Sequence, residues 1–479
     1  MPTKYPTSLS ITEDTQVRAD FAKDRDTPNG VMPAAVARPT TLKELQSLVQ
    51  WANASHAKVI PVSSTGQHRR GDTVPTTEGT VIADLSGMHK VIHVDLRDKI
   101  AIIEPGIDFG TIDTLLAPHG LRAFRPLMPR AGKSVLASYL DREPLIHPND
   151  HWDVADPFGG TATVLGNGDL VLTGSAAIEG TLQEQLDNGS RQMSPFGPGH
   201  TDLLRVVQGS QGTLGTVAWA AVYCERIPAV EKSHFVTADT LEPIVALARD
   251  LLLRRITSTL FIVDALQLAM LMARPGDDVA ALTEQSPPWT LFVTQSGTTL
   301  RPEQKLAWQL NDLRSCALAQ GCTVHDALGG RSADDFATHL RTPANGDYRD
   351  HVTGAHQELF FLQAFSGLPS IMAAKAASLR PDVGPVGTYI QPMAQGTYCH
   401  VEFTLPHPPE FSSRVAPFWQ ALTSACAQAG AFFSRPYGNW RDLAFASDDS
   451  VHTMLTAAKT LLDANHTMNP NRLPYQKAA

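Results

Sequence analysis

The segment Val59–Gly120 decides the fold; it reads VIPVSSTGQHRRGD (59–72), VIADLSGMHKVIHVD (81–95) and KIAIIEPGIDFGTIDTLLAPHG (99–120). A short apolar run enters a loop of small residues, which is the pattern of a strand that leads into a tight loop. Small residues let backbone N–H groups approach phosphate oxygens closely. The loop is therefore a candidate diphosphate-binding loop, although an ordinary turn between a strand and a helix has the same composition.

Length and composition narrow the class of protein. The 479 residues are enough for two or three domains with their own cores. The formal net charge of -9 argues against a nucleic-acid binder, which normally carries a basic stripe. The five cysteines form no CxxC pair, so we expect neither an iron–sulfur cluster nor a structural zinc in this chain.

The chain has no obvious targeting or membrane segment. Its first 21 residues are polar and lack the apolar centre of a signal peptide. The apolar runs 260–263 and 266–272 are too short to cross a bilayer. We therefore expect a cytoplasmic protein without a membrane span.

Hydrophobic periodicity predicts an α+β chain that changes character near Pro228. Before this residue, short strands alternate with single helices, and Gly-Asn-Gly-Asp at 166–169 predicts a β-hairpin. After it, longer helical patterns are interleaved with strands, which indicates a second α+β domain. The predicted helices are 40–53, 108–117, 241–253, 303–320, 411–430 and 451–465, and the predicted strands are 58–62, 81–84, 91–95, 100–104, 290–294 and 397–405.

Five motifs, in order and at matching spacing, resemble the FAD-binding flavoprotein family of vanillyl-alcohol oxidase and p-cresol methylhydroxylase (PCMH). They are the loop at 61–72, the strand pair and helix at 81–121, SVLASYLDREPLIHPNDHWD at 134–153, VLGNGDLVLTGS at 164–175 and QGSQGTLGTV at 208–217. The resemblance implies a two-subdomain PCMH-type FAD-binding domain over residues 1–228. It also implies an α+β substrate (cap) domain with an antiparallel sheet over 229–430. Residues 431–479 would form a C-terminal segment that returns to the FAD domain.

The resemblance implies FAD as cofactor and assigns its contacts. Amides and hydroxyls of loop 63–67 would bind the diphosphate. Gly212 and Gly215 would let backbone approach the adenine half, unless they serve a bulge or a tight turn instead. His68 would hold FAD covalently or assist that bond, or else pair with Asp72 or solvent. The implied cofactor-binding residues are Ser63, Ser64, Thr65, Gly66, Gln67, His68, Pro105, Gly106, Ser134, Ser138, Asp141, Gln211, Gly212, Gly215, Val217 and Arg472.

The catalytic candidates that the resemblance implies are His400, Arg435 and Tyr437. His400, in GTYCHVEF, matches the position of a flavin-linked histidine, and strand alternation puts Glu402 on the same face. Arg435 matches an arginine that binds phenolate, and a guanidinium binds such anions in bidentate fashion. The alternatives are a core histidine bonded to the backbone and an arginine in a surface ion pair.

Three departures from the family pattern bear on the substrate. Ser434 stands where phenol-oxidising members have a tyrosine, and the stretch PLMPRAGKSVL (126–136) has Arg130 and Lys133 but no acidic residue. The missing acidic residue argues against phenol chemistry and favours an anionic substrate, whereas Arg435 beside Ser434 would still bind either a phenolate or a carboxylate. The closing motif HTMNPNRLP (466–474) lacks the family's Gly and Lys, which leaves the role of Arg472 open.

A divalent metal is a further alternative near the flavin. Some related hydroxyacid dehydrogenases bind one through His and Glu on a comparable strand, and His400, Glu402 and His407, with His356 upstream, offer such side chains. Spacing alone does not separate ligands from polar core residues, so we assign no metal ligand.

The implied function is that of an FAD-linked oxidase or dehydrogenase, which takes a hydride from a small anionic alcohol, hydroxy acid or benzylic substrate onto flavin N5. Arg435 would anchor the anionic end, and His400 or Tyr437 would take or share the hydroxyl proton. The alternatives are a 4-alkylphenol oxidase or hydroxylase, and a flavin subunit that passes electrons to an iron–sulfur or cytochrome partner. A binder that keeps the fold without flavin is a third. An electron-acceptor protein and a homodimer stay open as partners beside the small-molecule substrate.

Overall fold

The N-terminal part of the chain is built on a four-stranded sheet; the computed structural model describes residues 5–27, 30–151, 156–195, 197, 202–445 and 449–475. The strands are β1 (Ile11–Thr12), β2 (Ala35–Ala37), β3 (Lys58–Val62) and β4 (Thr80–Asp84), in the order β1-β2-β4-β3. After the short helix α1 (Thr15–Ala19), helix α2 (Leu42–Ser55) connects β2 to the parallel strand β3. Its cap is Thr41, which accepts a hydrogen bond from the backbone N–H of Glu44. The predicted helix 40–53 and strand 58–62 are thus confirmed.

A six-stranded antiparallel sheet follows. Its strands are β5 (Val91–Asp95), β6 (Ile100–Ile103), β7 (Leu121–Ala123), β8 (Phe158–Leu165), β9 (Leu170–Leu172) and β10 (Gly215–Arg226). The order is β5-β6-β10-β8-β9, with β7 beside the end of β10, and β8 and β9 form the predicted hairpin. The accompanying helices are α3 (Ile112–Leu116), α4 (Val135–Leu140), α5 (Leu182–Asp187) and α6 (Leu203–Val207).

The predicted helix 108–117 was wrong in its first turn. Helix α3 begins only at Ile112, because Asp108 instead forms a β-bridge with Ser134. The carboxylate of Asp108 also accepts hydrogen bonds from the backbone N–H and the hydroxyl of Thr111. A short polar side chain that binds its own backbone competes with helix formation.

A seven-stranded antiparallel sheet forms the centre of the second half, which confirms the antiparallel sheet expected there. Its strands are β11 (Val230–Ala238), β12 (Thr259–Asp264), β13 (Trp289–Gly297), β14 (Thr323–His325), β17 (Ala355–Gln363), β18 (Gly387–Met393) and β19 (Tyr398–His407). Their order is β14-β11-β13-β12-β18-β19-β17, and the hairpin β15 (Ala327–Leu328) and β16 (Arg331–Ser332) stands apart. The helices of this part are α7 (Leu241–Arg254), α8 (Ala265–Met272), α9 (Val279–Gln285), α10 (Pro302–Ala319), α11 (Ala333–Arg341), α12 (Asp350–Thr353), α13 (Leu368–Ser378) and α14 (Ser412–Gln428).

Both faces of this large sheet are buried. One face packs on α7, α10, α13 and α14. The other packs on α8, α9 and α11, and it also contacts Leu127 and Ile146 from the N-terminal half. The cleft described below lies where these two parts of the chain meet.

The end of the chain comes back to the first sheet. After α15 (Gly438–Phe445) and α16 (Asp449–Leu462), residues 467–469 pair with β3. The N–H of Val59 donates to Thr467 (2.8 Å), and the N–H of Asn469 donates to Val59 (2.8 Å). Among the described residues, none of the helices combines the length and the apolar character needed to cross a bilayer.

Candidate functional site

The candidate diphosphate-binding loop (residues 63–72, the diphosphate loop) leaves the sheet directly after β3. The N–H of Thr65 donates to the carbonyl of Gly132 (2.8 Å), and the hydroxyl of Ser64 accepts from the N–H of Ser134 (3.0 Å). Further on, Arg70 and Gly71 both have positive φ, +64° and +65°. A left-handed arginine stores backbone strain, and the carboxylate of Asp26 stabilises it by accepting from its N–H (2.9 Å).

The first cavity, of about 950 Å³, extends from this loop along the turn at residues 209–215 (the glycine turn). It is lined by eleven of the predicted residues: Ser63, Ser64, His68, Pro105, Asp141, Gln211, Gly212, Gly215, Val217, Arg472 and the catalytic candidate Tyr437. Its wall combines loop amides, small residues and the apolar side chains of Leu136 and Leu140. That mixture suits a phosphate at one end and a flat apolar group at the other.

Two of the implied glycines have a reason for being glycine that does not involve a cofactor. A Cβ on Gly212 would lie 2.8 Å from Cγ of Pro61, and one on Gly215 would lie 2.6 Å from the carbonyl of Val164. Gly212 also has φ of +72°. The alternative reading of these residues, a tight turn packed against neighbouring strands, therefore accounts for both, although they also line the cavity.

Two further cavities lie in a row with the first. Five of the predicted cofactor residues line none of the three: Thr65, Gly66, Gly106, Ser134 and Ser138. The hydroxyl of Ser134 donates to Pro105 (2.6 Å) and caps α4, and the hydroxyl of Ser138 donates to Glu143 (2.5 Å). Both serines are fully buried. Their hydroxyls are therefore used within the protein, where they position α4 beside the diphosphate loop.

The second cavity, of about 1080 Å³, adjoins the first. Ser64, His68, Asp72 and Lys133 line both, and Gln67 lines the second alone. Six cationic and six carboxylate side chains face the second cavity: Arg69, Arg70, Arg130, Lys133, Arg349 and Arg435, and Asp72, Glu143, Asp347, Asp350, Glu358 and Glu402.

Most of these charges neutralise one another. Glu358 is 5% exposed at its side chain and pairs with Arg69 (3.2 Å), Arg349 (3.7 Å) and Arg70. Burial alone would raise the pKa of Glu358, but the three guanidinium groups hold it well below its usual value. Glu402 pairs with Arg349 in the same way. These groups form a buried ionic cluster between the diphosphate loop and the large sheet.

Sequence reasoning missed most of this cluster. Arg69 and Arg70 lie in the quoted loop, and two arginines in a run of small residues were a signal that could have been used. Glu358, Arg349 and Asp347 come from strands and loops almost 300 residues away, so only the tertiary structure brings them there.

Arg130 differs from the other cations of the second cavity. Among the described residues, no carboxylate lies within 4.0 Å of its guanidinium. It donates to the carbonyl of Thr65, and burial lowers its pKa from the usual value. A half-buried guanidinium without a counter-ion is prepared to bind an anion.

Arg435 and Tyr437 converge on Asp141. The guanidinium of Arg435 donates to Asp141 (2.9 Å) and lies 3.6 Å from Glu143, and the hydroxyl of Tyr437 also donates to Asp141. Burial and Asp141 raise the pKa of Tyr437 well above 10. Tyr437 is therefore a proton donor in this arrangement, and an anionic substrate would have to compete with two carboxylates for Arg435.

The third cavity, of about 640 Å³, lies beyond Glu143 and Arg435, which line both it and the second cavity. His400 lines it together with Leu362 and Met393. The imidazole Nε2 of His400 lies 3.6 Å from Glu402 and has no hydrogen-bond partner among the residues that the structure describes. Burial lowers the pKa of His400, although Glu402 opposes the effect. Trp152 and Asp153, the last two residues of the motif at 134–153, lie outside the described residues.

Within the described residues, the four side chains weighed as metal ligands do not form one group, although His400 and Glu402 lie 3.6 Å apart. In the described part of the chain, the group that could hold an ion is Asp347, His356 and Glu358. Nε2 of His356 contacts both Glu358 (3.1 Å) and the guanidinium of Arg69, and its Nδ1 contacts Asp350 (2.7 Å). A guanidinium thus already occupies the place a cation would take.

FAD fits these residues. The three cavities share lining residues and therefore lie next to one another in a row from the glycine turn to His400. The loop of amides and hydroxyls lies part of the way along, as a dinucleotide with a central diphosphate requires. Ser63, Ser64 and Arg472 line the first cavity beside this loop and would donate to phosphate oxygens there. A Cβ built on Gly66, at the loop tip, would lie 3.2 Å from a guanidinium nitrogen of Arg130, so the loop and Arg130 are close neighbours.

Comparison with known proteins agrees with this geometry. Residues 33–132 match the family described as FAD binding domain. The solved structure of p-cresol methylhydroxylase with substrate bound superposes with a TM-score of 0.78 at 17% identity, covering 96% of this chain and 93% of that one. The chain is therefore an FAD-binding flavoprotein with the PCMH-type fold, as the sequence predicted.

Two curated relatives carry redox names. The 4-cresol dehydrogenase [hydroxylating] flavoprotein subunit of Pseudomonas putida is 27% identical over 32% of this chain and 29% of its own length. The D-2-hydroxyglutarate dehydrogenase of Stutzerimonas stutzeri (strain A1501) is 24% identical over 60% of this chain and 58% of its own. The chain thus matches less than two thirds of the length of these relatives.

Proposed function

We propose that the protein is an FAD-dependent oxidoreductase that oxidises a small anionic alcohol or hydroxy acid. When bound, FAD supplies a hydride acceptor at flavin N5. The relatives named as a hydroxy-acid dehydrogenase and a cresol dehydrogenase support the reaction type. The charges of the second cavity support the substrate class.

The unpaired guanidinium of Arg130 carries the proposal for an anionic substrate. Arg130 faces the second cavity without a carboxylate within 4.0 Å among the described residues. Two other cations of the same cavity, Lys133 and Arg435, are already paired with Glu143 and Asp141. A substrate carboxylate in this cavity would form a charge-assisted, bidentate pair with Arg130, while Arg435 would orient it from the far side.

His400 is the better candidate for the base. Its lowered pKa keeps the imidazole neutral near pH 7, so Nε2 can accept the hydroxyl proton as the C–H bond breaks. Tyr437 holds its own proton towards Asp141 and cannot take another. The proposal therefore assigns proton transfer to His400. Tyr437 instead holds the Asp141 carboxylate in place through its hydrogen bond.

The test is anaerobic reduction of the flavin by a panel of compounds, followed by absorbance near the flavin band. Small 2-hydroxy acids should bleach the flavin, and the same alcohols without a carboxylate should react far more slowly. Bleaching by 4-alkylphenols and not by hydroxy acids would contradict the proposal. It would favour instead a 4-alkylphenol oxidase or hydroxylase; a 4-ethylphenol oxidase and p-cresol methylhydroxylase are among the solved structures that share the fold.

An electron-acceptor protein is the partner that we propose for the reduced flavin. One relative is named as a flavoprotein subunit, which supports a separate acceptor chain. Reduced protein mixed with air should then reoxidise slowly and yield little peroxide. Rapid peroxide formation would identify an oxidase that needs no such partner.

A further inference from the structure

A buried lysine ties two walls of the first cavity together. Lys459, in α16, is 2% exposed, and its ammonium has three hydrogen-bond partners. It donates to the carbonyl of Thr213 in the glycine turn (2.5 Å), to the carbonyl of Met468 (3.0 Å) and to the carboxylate of Asp463. An ammonium has three protons, so each is used.

Asp463 fixes the start of the segment 463–475, called the C-terminal strap. Its carboxylate is fully buried and accepts hydrogen bonds from the N–H groups of Thr467 (2.8 Å) and Met468 (2.8 Å). Gly166, in the β8–β9 hairpin, leaves the space for it, because a Cβ there would lie 2.2 Å from Cγ of Asp463. Helix α16, the hairpin and the strap are thus joined at one buried ion pair.

The strap and the glycine turn face each other along the cavity. Asn469 donates to the carbonyl of Gln211 (2.8 Å), and Arg472 donates to its side-chain oxygen (3.0 Å). The hydroxyls of Tyr475, in the strap, and Thr213, in the glycine turn, are also hydrogen-bonded to each other. Asn469, Arg472 and Gln211 all line the first cavity, whereas Lys459 does not.

We propose that Lys459 is a positioning residue for the cofactor, which holds the glycine turn and the strap at the separation that the adenine half of FAD requires. Gln211 and Gly212 of the glycine turn and Asn469 and Arg472 of the strap line the first cavity and neither of the other two, where the substrate and the base candidate are placed. A buried ion pair often stabilises a fold no more than apolar residues of equal volume do. Its contribution here is geometric, through the two carbonyls of Thr213 and Met468.

The test is the substitution Lys459→Met, read out by the binding of two flavins. The protein is produced in a riboflavin-auxotrophic host that is starved of riboflavin during expression, so that it carries no flavin. It is then titrated with FAD and with FMN, which lacks the adenylate half. Loss of the two carbonyl contacts should raise the Kd for FAD by about tenfold or more. The Kd for FMN should stay unchanged.

The matched control is Lys58→Met. Lys58 also donates to a carbonyl of the C-terminal region, that of Asn465 (2.9 Å), but at an exposed position. This variant should bind both flavins as the wild type does. Equal losses of FAD and FMN in Lys459→Met would overturn the proposal, and so would an unchanged Kd for FAD.

A second variant covers the case in which Lys459→Met does not fold. The double substitution Lys459→Met with Asp463→Asn removes both charges of this buried pair and keeps an oxygen acceptor for the N–H of Thr467. It lacks the ties to Thr213 and Met468, so the same selective loss of FAD is expected. A folded double variant with wild-type affinity for FAD would refute the role of Lys459. Because only flavin binding is measured, this result is independent of the proposed substrate.

Discussion

At the residue scale, the substrate proposal rests on one guanidinium. Removing Arg130 by the substitution Arg130→Gln should raise KM for the anionic substrate by about ten- to a hundredfold, since a hydrogen bond to a charged group contributes about 1.5–3 kcal/mol. Steady-state kinetics measure KM, and flavin titration measures the Kd for FAD in the same variant.

The outcome of Arg130→Gln shows whether Arg130 binds the substrate carboxylate or the diphosphate of FAD. Arg130 lies close to the tip of the diphosphate loop, 3.2 Å from the position of a Cβ on Gly66. If FAD affinity falls while KM is unchanged, the guanidinium serves the diphosphate and the substrate proposal loses its basis. Arg314→Gln, on the exposed face of α10, is the control that should change neither value.

His400 leads to a prediction about pH. Its pKa is lowered by burial, and only the neutral imidazole accepts a proton, so kcat should fall as pH drops through a value below 6.5. The substitution His400→Gln should reduce kcat by about 10²–10⁴-fold and abolish this acid limb. A pH profile of kcat is the measurement, with the exposed His89→Gln as control. An acid limb that persists in His400→Gln would assign the proton to another group.

At the element scale, the glycine turn shows how local geometry shapes the cleft. Gly212 has φ of +72° and would place a Cβ 2.8 Å from Pro61. Gly79 has nearly the same φ, +74°, but no atom within 4 Å of its Cβ position. The pair therefore separates backbone strain from steric collision.

The substitution Gly79→Ala should lower the free energy of unfolding by about 1–2 kcal/mol, the cost of a left-handed residue with a Cβ. Gly212→Ala should cost about 1–3 kcal/mol more, because overpacking is added to the same strain. Only Gly212→Ala should also weaken FAD binding. Chemical denaturation and flavin titration measure the two effects, and equal costs in both variants would contradict the collision.

The elements themselves were largely predictable. Strand β3 and helix α2 follow from a capped helical period and a short apolar run, and the β8–β9 hairpin follows from its Gly-Asn-Gly-Asp turn. Helix α3 began later than periodicity indicated, because the Asp108–Ser134 bridge replaced its first turn. A bridge between residues 26 positions apart leaves no trace in a local pattern.

At the scale of the whole molecule, the buried ionic cluster connects the diphosphate loop to the large sheet. Substituting Glu358→Gln leaves Arg69, Arg70 and Arg349 without their shared counter-ion. The free energy of unfolding should fall by about 3–5 kcal/mol, which is typical when one partner of a buried pair is removed. The exposed Glu179→Gln is the control and should cost little.

This contribution of Glu358 should depend on pH with a definite sign. Its pKa in the folded state lies well below the ordinary value of 4.5, so its stabilisation is complete above that value. It is lost as pH falls below 4.5 towards the folded pKa. Denaturation curves of wild type and Glu358→Gln should therefore converge at acid pH. A difference that stayed constant with pH would refute the role of the carboxylate.

Residues that are close together in the chain specify the class of cofactor and the frame that holds it. Strand, loop and turn are specified by residues close in the chain, so small residues after β3 and the order of the motifs were enough to predict an FAD-binding flavoprotein of the PCMH-type fold. The tertiary structure alone decided the charges of the cleft. Arg70 pairs with Glu358, and Lys459 bonds to Thr213, although more than 200 residues separate the members of each pair in the chain. Strand pairing and helix packing set those distances, and local periodicity does not encode either.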